Sequence, residues 1–574
     1  MDKQRIANAL EQIGVLLELT GANPFKVRAY HNAARIVEGL DGDIAPLIEA
    51  DELVEIKGIG RSLADHIAEL ARSGEISEYK KLKKSVPPGV VEMLSIPGLG
   101  AKKVAYIWKE RGIKTVGELE LLCGRHMLAD APGFGAKTEQ RILAGIEMLK
   151  RFAGKRLLAE ALGQAQEIIE EVGAWPEVEA CEIAGSVRRR KEIVKDIDVI
   201  VRSKEPAAVM ERFVSMPDHL RVVQRGDKKS EVILESGMQC DLRVFGDREY
   251  PFALHYFTGS KEHNVRMRRV AKSKRLKLNE YGLFKEGSER SSRCADEAAL
   301  FGKFGMDYIE PELREDMGEI EAAAERRLPR LIEEGDVRGV IHVHSNYSDG
   351  EATVEGMALA AKAQGYSYLA ICDHSQSLTV AGGLKPAQVS RQHKEIDALN
   401  RKLKGFVVLK GIEVDILADG SIDYEDSVLE SFDIVIAAIH TRFGMSREEM
   451  TARIVKGISN PHVDALAHPT GRLLLARDPY AVDMDEVIGA VAKLGVALEI
   501  NAHPQRLDLD WRLCKRAKEA GAKFVICPDA HSPDDISLIS YGVSVARKGW
   551  LEKGDVLNCL DVREFVGGLR SGRA

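Results

Sequence analysis

Val340-Ile341-His342-Val343-His344-Ser345-Asn346-Tyr347-Ser348-Asp349 is a short apolar run that ends in two imidazoles, with a carboxylate in the loop beyond. In a strand, residues two apart share a face, so His342 and His344 project together and are well spaced for one metal ion. Neutral imidazoles favour zinc, manganese or iron over magnesium. The phrase recurs downstream, where apolar runs finish at Cys372-Asp373-His374, Glu413, His440, His468, Glu499/Asn501 and Asp529/His531. Strand-length apolar segments, each followed by loop and helix, predict a parallel barrel whose chemistry sits at the C-terminal strand ends. His342, His344, Asp349, His374, Glu413, His440, His468, Asp529 and His531 are then nine candidate metal ligands. They are too many for one tetrahedral ion and suit a cluster of two or three, which activates water and neutralises attacking and leaving oxygens at phosphorus. Asn501 and either Arg442 or Arg472 are candidates for phosphate contact or ligand support.

Upstream lies a second, unrelated site. In Val194-Lys195-Asp196-Ile197-Asp198-Val199-Ile200-Val201, Asp196 and Asp198 share a strand face while Ile197 and Val199 enter the core. Two carboxylates in register repel unless a divalent cation lies between them. A third acid, Asp241, sits in the apolar strand Gln239-Cys240-Asp241-Leu242-Arg243-Val244-Phe245. Three carboxylates suit two magnesium ions, one acting on an attacking hydroxyl and one on triphosphate oxygens. An Asp-x-Asp pair is common on surface strands. Here a flexible Gly185-Ser186 turn eleven residues upstream, with Arg189 beyond it, is placed to cradle phosphates.

The first 150 residues read as helical, with one phrase three times over: Ile56-Lys57-Gly58-Ile59-Gly60, Ile96-Pro97-Gly98-Leu99-Gly100 and Ala131-Pro132-Gly133-Phe134-Gly135, each ahead of a helix. Glycines permit the tight turn, and the helix start leaves N–H groups free for a phosphate. Lys102, Lys103 and Lys137 are placed to add to it.

Composition sets the bounds. A chain of 574 residues with 45% hydrophobic content divides into several domains with real cores. The eight cysteines show no CxxC pairing, which suits reduced thiols and a cytoplasmic enzyme. No apolar stretch reaches membrane-spanning length, and Met1-Asp2-Lys3-Gln4-Arg5 leads into an apolar-periodic segment without a signal-peptide core. The net charge of -7 weighs against a polyanionic partner. Local patches set the field such a partner meets, however, and Arg188-Arg189-Arg190-Lys191 and the block from Arg266 to Lys277 are strongly basic.

Gly185-Ser186-x-Arg188-Arg189, Asp196-x-Asp198, Asp241 and Tyr256-Phe257-Thr258-Gly259-Ser260 together resemble the family X DNA polymerases, a branch of the nucleotidyltransferase superfamily. The resemblance implies Asp196, Asp198 and Asp241 as catalytic, metal-binding acids of a palm. It implies Gly185, Ser186 and Arg189 at the triphosphate, Tyr256, Phe257, Gly259 and Ser260 around the nucleotide sugar, Asn264 at its minor-groove edge and Arg268 on the template strand. The glycine turns resemble helix-hairpin-helix motifs, which implies DNA contact at Gly58, Gly60, Gly98, Gly100, Gly133, Gly135 and Lys102. His66 stands where the family's repair enzymes carry a lyase lysine. An imidazole forms no stable Schiff base with a sugar aldehyde, so little lyase activity is expected from that position.

The C-terminal part closely resembles the PHP (polymerase and histidinol phosphatase) domain, a distorted (β/α)7 barrel, with all nine ligand positions kept and Glu413 implied as the bridging carboxylate. The combination is that of bacterial and archaeal family X enzymes. The expected fold is therefore multidomain: helical helix-hairpin-helix N-terminal domains, an α+β nucleotidyltransferase palm and thumb, and the barrel. Expected bounds are 1–85 and 86–150 for the helical domains, 151–248 palm, 249–315 thumb, 316–336 an acidic helical linker and 337–574 barrel. The resemblance implies a monomer that fills short gaps in DNA repair, taking gapped or primer-template DNA and dNTPs with Mg2+ at the palm. It further implies 3′-5′ exonuclease action at two or three Mn2+ or Zn2+ ions in the barrel, and leaves open AP endonuclease and 3′-phosphatase activity. Two other readings stand beside this one: a barrel acting on a small phosphoester with the front half a tether, and a non-catalytic DNA-binding scaffold.

Overall fold

A computed structural model describes residues 3–38, 40, 44–73, 76–96, 98–217 and 219–570. Met1, Asp2 and Pro97, quoted above, lie outside the described residues. The chain divides into two compact units, 1–153 and 154–574.

The first unit is helical. Helices Lys3–Thr20, Pro24–Glu38 and Arg61–Ser73 contribute Leu10, Ile13, Tyr30, Val37 and Ile67 to one core. Helices Ala101–Arg111 and Ala136–Phe152 contribute Val104, Ile107, Ile142 and Ile146 to a second. Each glycine turn begins with a residue in the left-handed region, at φ 104°, 81° and 80° for Gly58, Gly98 and Gly133. Ile59 and Leu99, between the glycines, are buried, which pins those turns to their cores.

The second unit begins with the helix Leu158–Gly173 packed on a five-stranded sheet. Its strands are β1 (Ala180–Ile183), β2 (Asp196–Arg202), β3 (His219–Gln224), β4 (Lys229–Leu234) and β5 (Gln239–Phe245). Their order is β1-β2-β5-β4-β3; β2 and β5 run parallel and the other neighbours antiparallel. Beyond the sheet, helices Tyr250–Thr258, Lys261–Ser273 and Glu297–Lys303 pack with the hairpin Leu276–Asn279/Gly282–Lys285 around Phe252, Met267, Leu283 and Phe301.

The segment 316–336 is packed, with one α-helix over Glu319–Ala324 and a 3-10 turn over Glu334–Asp336. Glu319, Ile320, Leu331 and Ile332 are buried, so it carries core contacts of its own.

Seven strands follow in sequential parallel order: β6 (Gly339–Val343), β7 (Tyr368–Ile371), β8 (Val407–Asp415), β9 (Ile434–Ala438), β10 (Ala465–Leu466), β11 (Ala497–Asn501) and β12 (Lys523–Cys527). A bridge between Val343 and Ala530 brings the last run back to the first. Every apolar run read from the sequence is thus a barrel strand. Ile341, Ala370, Leu409, Ile436, Ala465, Ala497 and Val525 fill the interior, and Phe565 of the final helix, Val562–Gly568, joins the same cluster with Leu569 just beyond it. Residues before and after this filling have different tasks: apolar side chains pack the barrel, and polar ones emerge at the C-terminal rim.

Candidate active sites

In the palm, the parallel register of β2 and β5 sets Asp198 directly across from Asp241 and Asp196 across from Gln239. Ile197 and Val199 are fully buried, so the alternate face carries both aspartates. Burial drives the Asp198 carboxyl up to about 6 against the pull of Arg243, and Asp196 and Asp241 add to the rise. Asp196 is raised by burial and by Asp241. Arg243 reaches Asp198 at 2.9 Å and Asp241 at 2.8 Å, and Lys229 lies 3.1 Å from Asp241. Three carboxylates on one face of adjacent strands, two of them raised by burial first and by their neighbours' charge second, suit divalent cations.

Gly185 is at φ 61°, and a Cβ there would stand 2.3 Å from the Asp198 carboxylate. The expected flexible turn is instead the first residue of a one-turn helix, Gly185–Arg188, with Gly185 and Val187 buried. Close packing against Asp198 fixes it. Arg188 bonds to Thr258 at 2.6 Å and Glu297 at 2.7 Å, tying sheet to thumb. Arg189 pairs with Glu315 at 3.0 Å and donates to the Thr258 carbonyl. Gly259, at φ 72°, leaves room for that guanidinium, 3.0 Å from where a Cβ would be. Ser260 is buried and caps the next helix by accepting from the His263 N–H. Phe257 lies 4.4 Å beneath the Arg243 guanidinium, with Tyr256 edge-on to it. Asn264 donates to the Tyr256 carbonyl at 2.7 Å, while its Oδ1 is buried without a partner. Arg268 is exposed and lines a groove of 890 Å³ with Lys272, Arg275, Lys277 and Tyr281.

In the barrel, Glu413 is the hub. Its carboxylate lies 2.7 Å from His374, 2.9 Å from His468, 3.2 Å from His440 and 3.4 Å from His342. Asp529 approaches His344 at 3.3 Å and His342 at 3.5 Å. Asp349 approaches His374 at 3.4 Å and His531 at 3.5 Å. All nine ligand candidates therefore converge. His342 Nε2, His344 Nε2 and Glu413 Oε2 are buried without hydrogen-bond partners, atoms that a divalent cation would satisfy. Burial works against charging His374, yet Glu413 and Asp349 raise it to about 10, and Glu413 likewise raises His440 to about 9. Burial and the neighbouring imidazoles push His344 down to about 3. So dense a set of opposed groups takes protons where a cation would otherwise sit. His342, His468 and Asp529 adopt positive φ, at 64°, 24° and 55°, a backbone cost that clusters at the ligand positions.

Support comes from residues the sequence reading left unassigned. Glu499 accepts from His342 Nδ1 at 2.6 Å and from Asn501 at 2.8 Å. Asp415 pairs with His440 Nδ1 at 3.1 Å. Asp373 accepts from the Ser345 N–H and hydroxyl and from Gln392, bracing the loop that carries Asp349. Arg506 lies 3.4 Å from Asp529. Asp415 had a signal, two residues beyond Glu413 on the same strand face; Arg506, in a loop, had none. Asn501 bonds to Glu499 and Asp529, in a supporting place. Arg442 is exposed at φ 61°. Arg472 departs from the expected phosphate contact. It is buried against Asp510 and the Leu507 carbonyl, because its side chain serves the packing of the 506–510 loop.

In the first unit, a Cβ on Gly60, Gly98, Gly100, Gly133 or Gly135 would meet nothing within 4 Å, so the three turns present open backbone. Lys102 and Lys137 are exposed beside them. His66 accepts or donates at Nδ1 to the Tyr30 hydroxyl at 2.8 Å and meets Glu78 at 3.3 Å; Lys26 pairs with the same Glu78 at 2.6 Å.

Comparison with known proteins bears on the chain as a whole. Family models match as a helix-hairpin-helix domain over 1–76, a SAM-like helix-hairpin-helix tandem over 90–147, a DNA polymerase beta thumb over 253–315 and a PHP domain over 341–531. The chain is 39% identical over 566 residues to the DNA polymerase/3′-5′ exonuclease PolX of Bacillus subtilis, covering 98% of both chains. The chain belongs to the PolX family. Rat DNA polymerase lambda is 27% identical over 336 residues, 53% of this chain and 55% of the relative, and a probable phosphatase of Thermoanaerobacter sp. is 28% identical over 229 residues, 38% of this chain and 88% of the relative. The PolX assignment accounts for helical DNA-binding units, a polymerase thumb and a PHP barrel on one chain. Among the described residues no helix is long and apolar enough to cross a membrane.

Proposed function

We propose that this PolX enzyme fills short gaps in duplex DNA and trims 3′ ends at its second site, as a cytoplasmic monomer acting in repair. The observation that carries the reading is the register that faces Asp198 with Asp241 beside Asp196, on a chain whose barrel gathers eight candidate ligand side chains in close groups, with His468 on Glu413 as a ninth.

Asp196, Asp198 and Asp241 would hold Mg2+, which supplies charge neutralisation on the triphosphate and a lowered pKa for the primer 3′ hydroxyl. Ser186 and Arg189 would bind the outer phosphates, and Gly185 lets that helix start approach Asp198 closely. Tyr256 and Phe257 would line the sugar, with Gly259, Ser260 and Asn264 shaping the turn around it. Arg268 and its basic groove would hold the template strand. The glycine turns with Lys102 would hold backbone phosphates without base readout.

In the barrel, His342, His344, Asp349, His374, Glu413, His440, His468, Asp529 and His531 would hold two or three Mn2+ or Zn2+ ions, which supply an activated water and stabilise the leaving oxygen. Glu499 and Asp415 orient His342 and His440 through their Nδ1 atoms, and Arg506 at Asp529 adds positive charge toward a phosphodiester. The same geometry accommodates hydrolysis at abasic sites and removal of 3′ phosphates.

The test is a gapped, 5′-phosphorylated duplex assayed with and without dNTPs in Mg2+ and in Mn2+. D198A should abolish extension and keep degradation; H344A should do the reverse. Loss of neither activity in its matching variant would overturn the assignment.

A further inference from the structure

The phosphate-binding segment of the palm is gripped by side chains of the barrel half. Lys548, the last residue of the helix Ile539–Lys548, is 1% exposed. Its ammonium donates to Glu315 at 2.6 Å, to the Arg189 carbonyl at 3.0 Å and to the Glu312 carbonyl at 3.3 Å, and it stands 4.5 Å over the Trp511 ring. Glu315 Oε1 is the same oxygen that Arg189 Nε uses at 3.0 Å. Three residues beyond Arg189, buried Glu192 lies 3.7 Å from both Arg472 and Arg512 of the barrel half.

A buried lysine is costly and persists where its three donors are satisfied, as they are here. The charge balance has a consequence. Arg189 with Glu315 alone is a neutral pair, and a neutral pair offers a polyphosphate little attraction. With Lys548 sharing the carboxylate, the trio carries one net positive charge, and Arg189 is less fully committed to Glu315.

We propose that Lys548 is a positioning residue for nucleotide addition, holding Arg189 in place and keeping the Arg189–Glu315 pair electropositive toward the incoming triphosphate. The inference rests on the reading that Arg189 contacts that triphosphate. It gives the barrel a part in polymerisation that its own chemistry does not require.

Burial pushes the Lys548 ammonium down to about 8 against the opposing pull of Glu315, with Arg189 lowering it further and Glu192 raising it. The charged groups facing it are Glu315, Arg189 and Glu192, with Lys191 3.9 Å from the far oxygen of Glu315. Its charge is therefore lost within an accessible pH range.

The full-length enzyme is titrated with dNTP on single-nucleotide-gapped DNA, comparing K548M, K548R and R189Q. K548M should raise the KM for dNTP about tenfold with kcat within about twofold, the signature of lost binding rather than lost chemistry. K548R should restore most of it, and 3′-end degradation should be unchanged in both. In the unsubstituted enzyme the KM should climb as pH rises through about 8, and in K548M it should not. A KM unmoved by K548M but raised by R189Q overturns the role of Lys548 alone. A KM unmoved by R189Q overturns the reading of Arg189 beneath it. Should K548M lose both activities through misfolding, a flat pH profile of KM in the unsubstituted enzyme overturns the proposal.

Discussion

Arg243 bonds to Asp198 across the parallel β2–β5 pair and to Asp241 on its own strand, so one guanidinium bridges two of the three palm carboxylates and offsets the charge of only one. That arrangement still leaves Asp198 with a carboxyl near 6. The site stores electrostatic cost that a cation relieves.

Asp198→Asn should therefore stabilise the metal-free protein while abolishing extension. The sign follows from linkage: a carboxyl whose folded pKa lies above its unfolded value favours folding at low pH, and that contribution is lost as pH rises through about 6. At neutral pH the ionised group costs about 1–3 kcal/mol, which the amide removes. Thermal unfolding in EDTA checks it; an unchanged or lowered Tm at neutral pH would count against the raised pKa.

Extension in limiting Mg2+ should fall as pH drops through about 6, since protonated Asp198 no longer offers a ligand charge. Saturating Mg2+ should shift that limb downward. A limb that does not respond to Mg2+ assigns it to another group.

In the barrel, adding Mn2+ or Zn2+ to chelator-treated protein should stabilise the transition that reports the barrel by about 2.7 kcal/mol at a hundredfold excess over Kd, seen as a raised Tm. Glu413→Gln should erase most of that gain, because Glu413 faces four imidazoles within 3.4 Å. Calorimetry with E413Q retaining full extension on gapped DNA completes the comparison.

Glu499→Gln removes the carboxylate that accepts from His342 Nδ1 while keeping its volume. Loss of this orienting charge should lower degradation about 10–100-fold and leave extension intact. Rates of 3′-end removal under saturating Mn2+ measure it.

Borohydride with 5′-deoxyribose-phosphate DNA should leave no adduct that depends on His66, which is held between Tyr30 and Glu78 and carries no amine. A strong adduct lost in H66A refutes this.

The barrel was legible because its signal is repeated: apolar runs pack the interior, and the residue types that terminate them have few other reasons to stand there. Strand alternation set Asp196 and Asp198 on one face, and the Gly185-Ser186 turn upstream was what singled them out. What escaped was set by side-chain direction rather than by residue type. Arg472 and Arg506 look alike in sequence, yet one is folded inward onto Asp510 and the other reaches Asp529. Gly185 suggests looseness in sequence, while the Asp198 carboxylate behind it makes it one of the tightest points of the palm. Lys548 lies in a helix with no motif, and only the packing of the barrel half on the palm reveals it.

Phe565 is fully buried beneath Tyr368, with ring centroids 5.3 Å apart, and so acts as a stopper at the end of the barrel remote from the histidines. Truncation before Val562 would unseal that floor and admit water to the apolar filling.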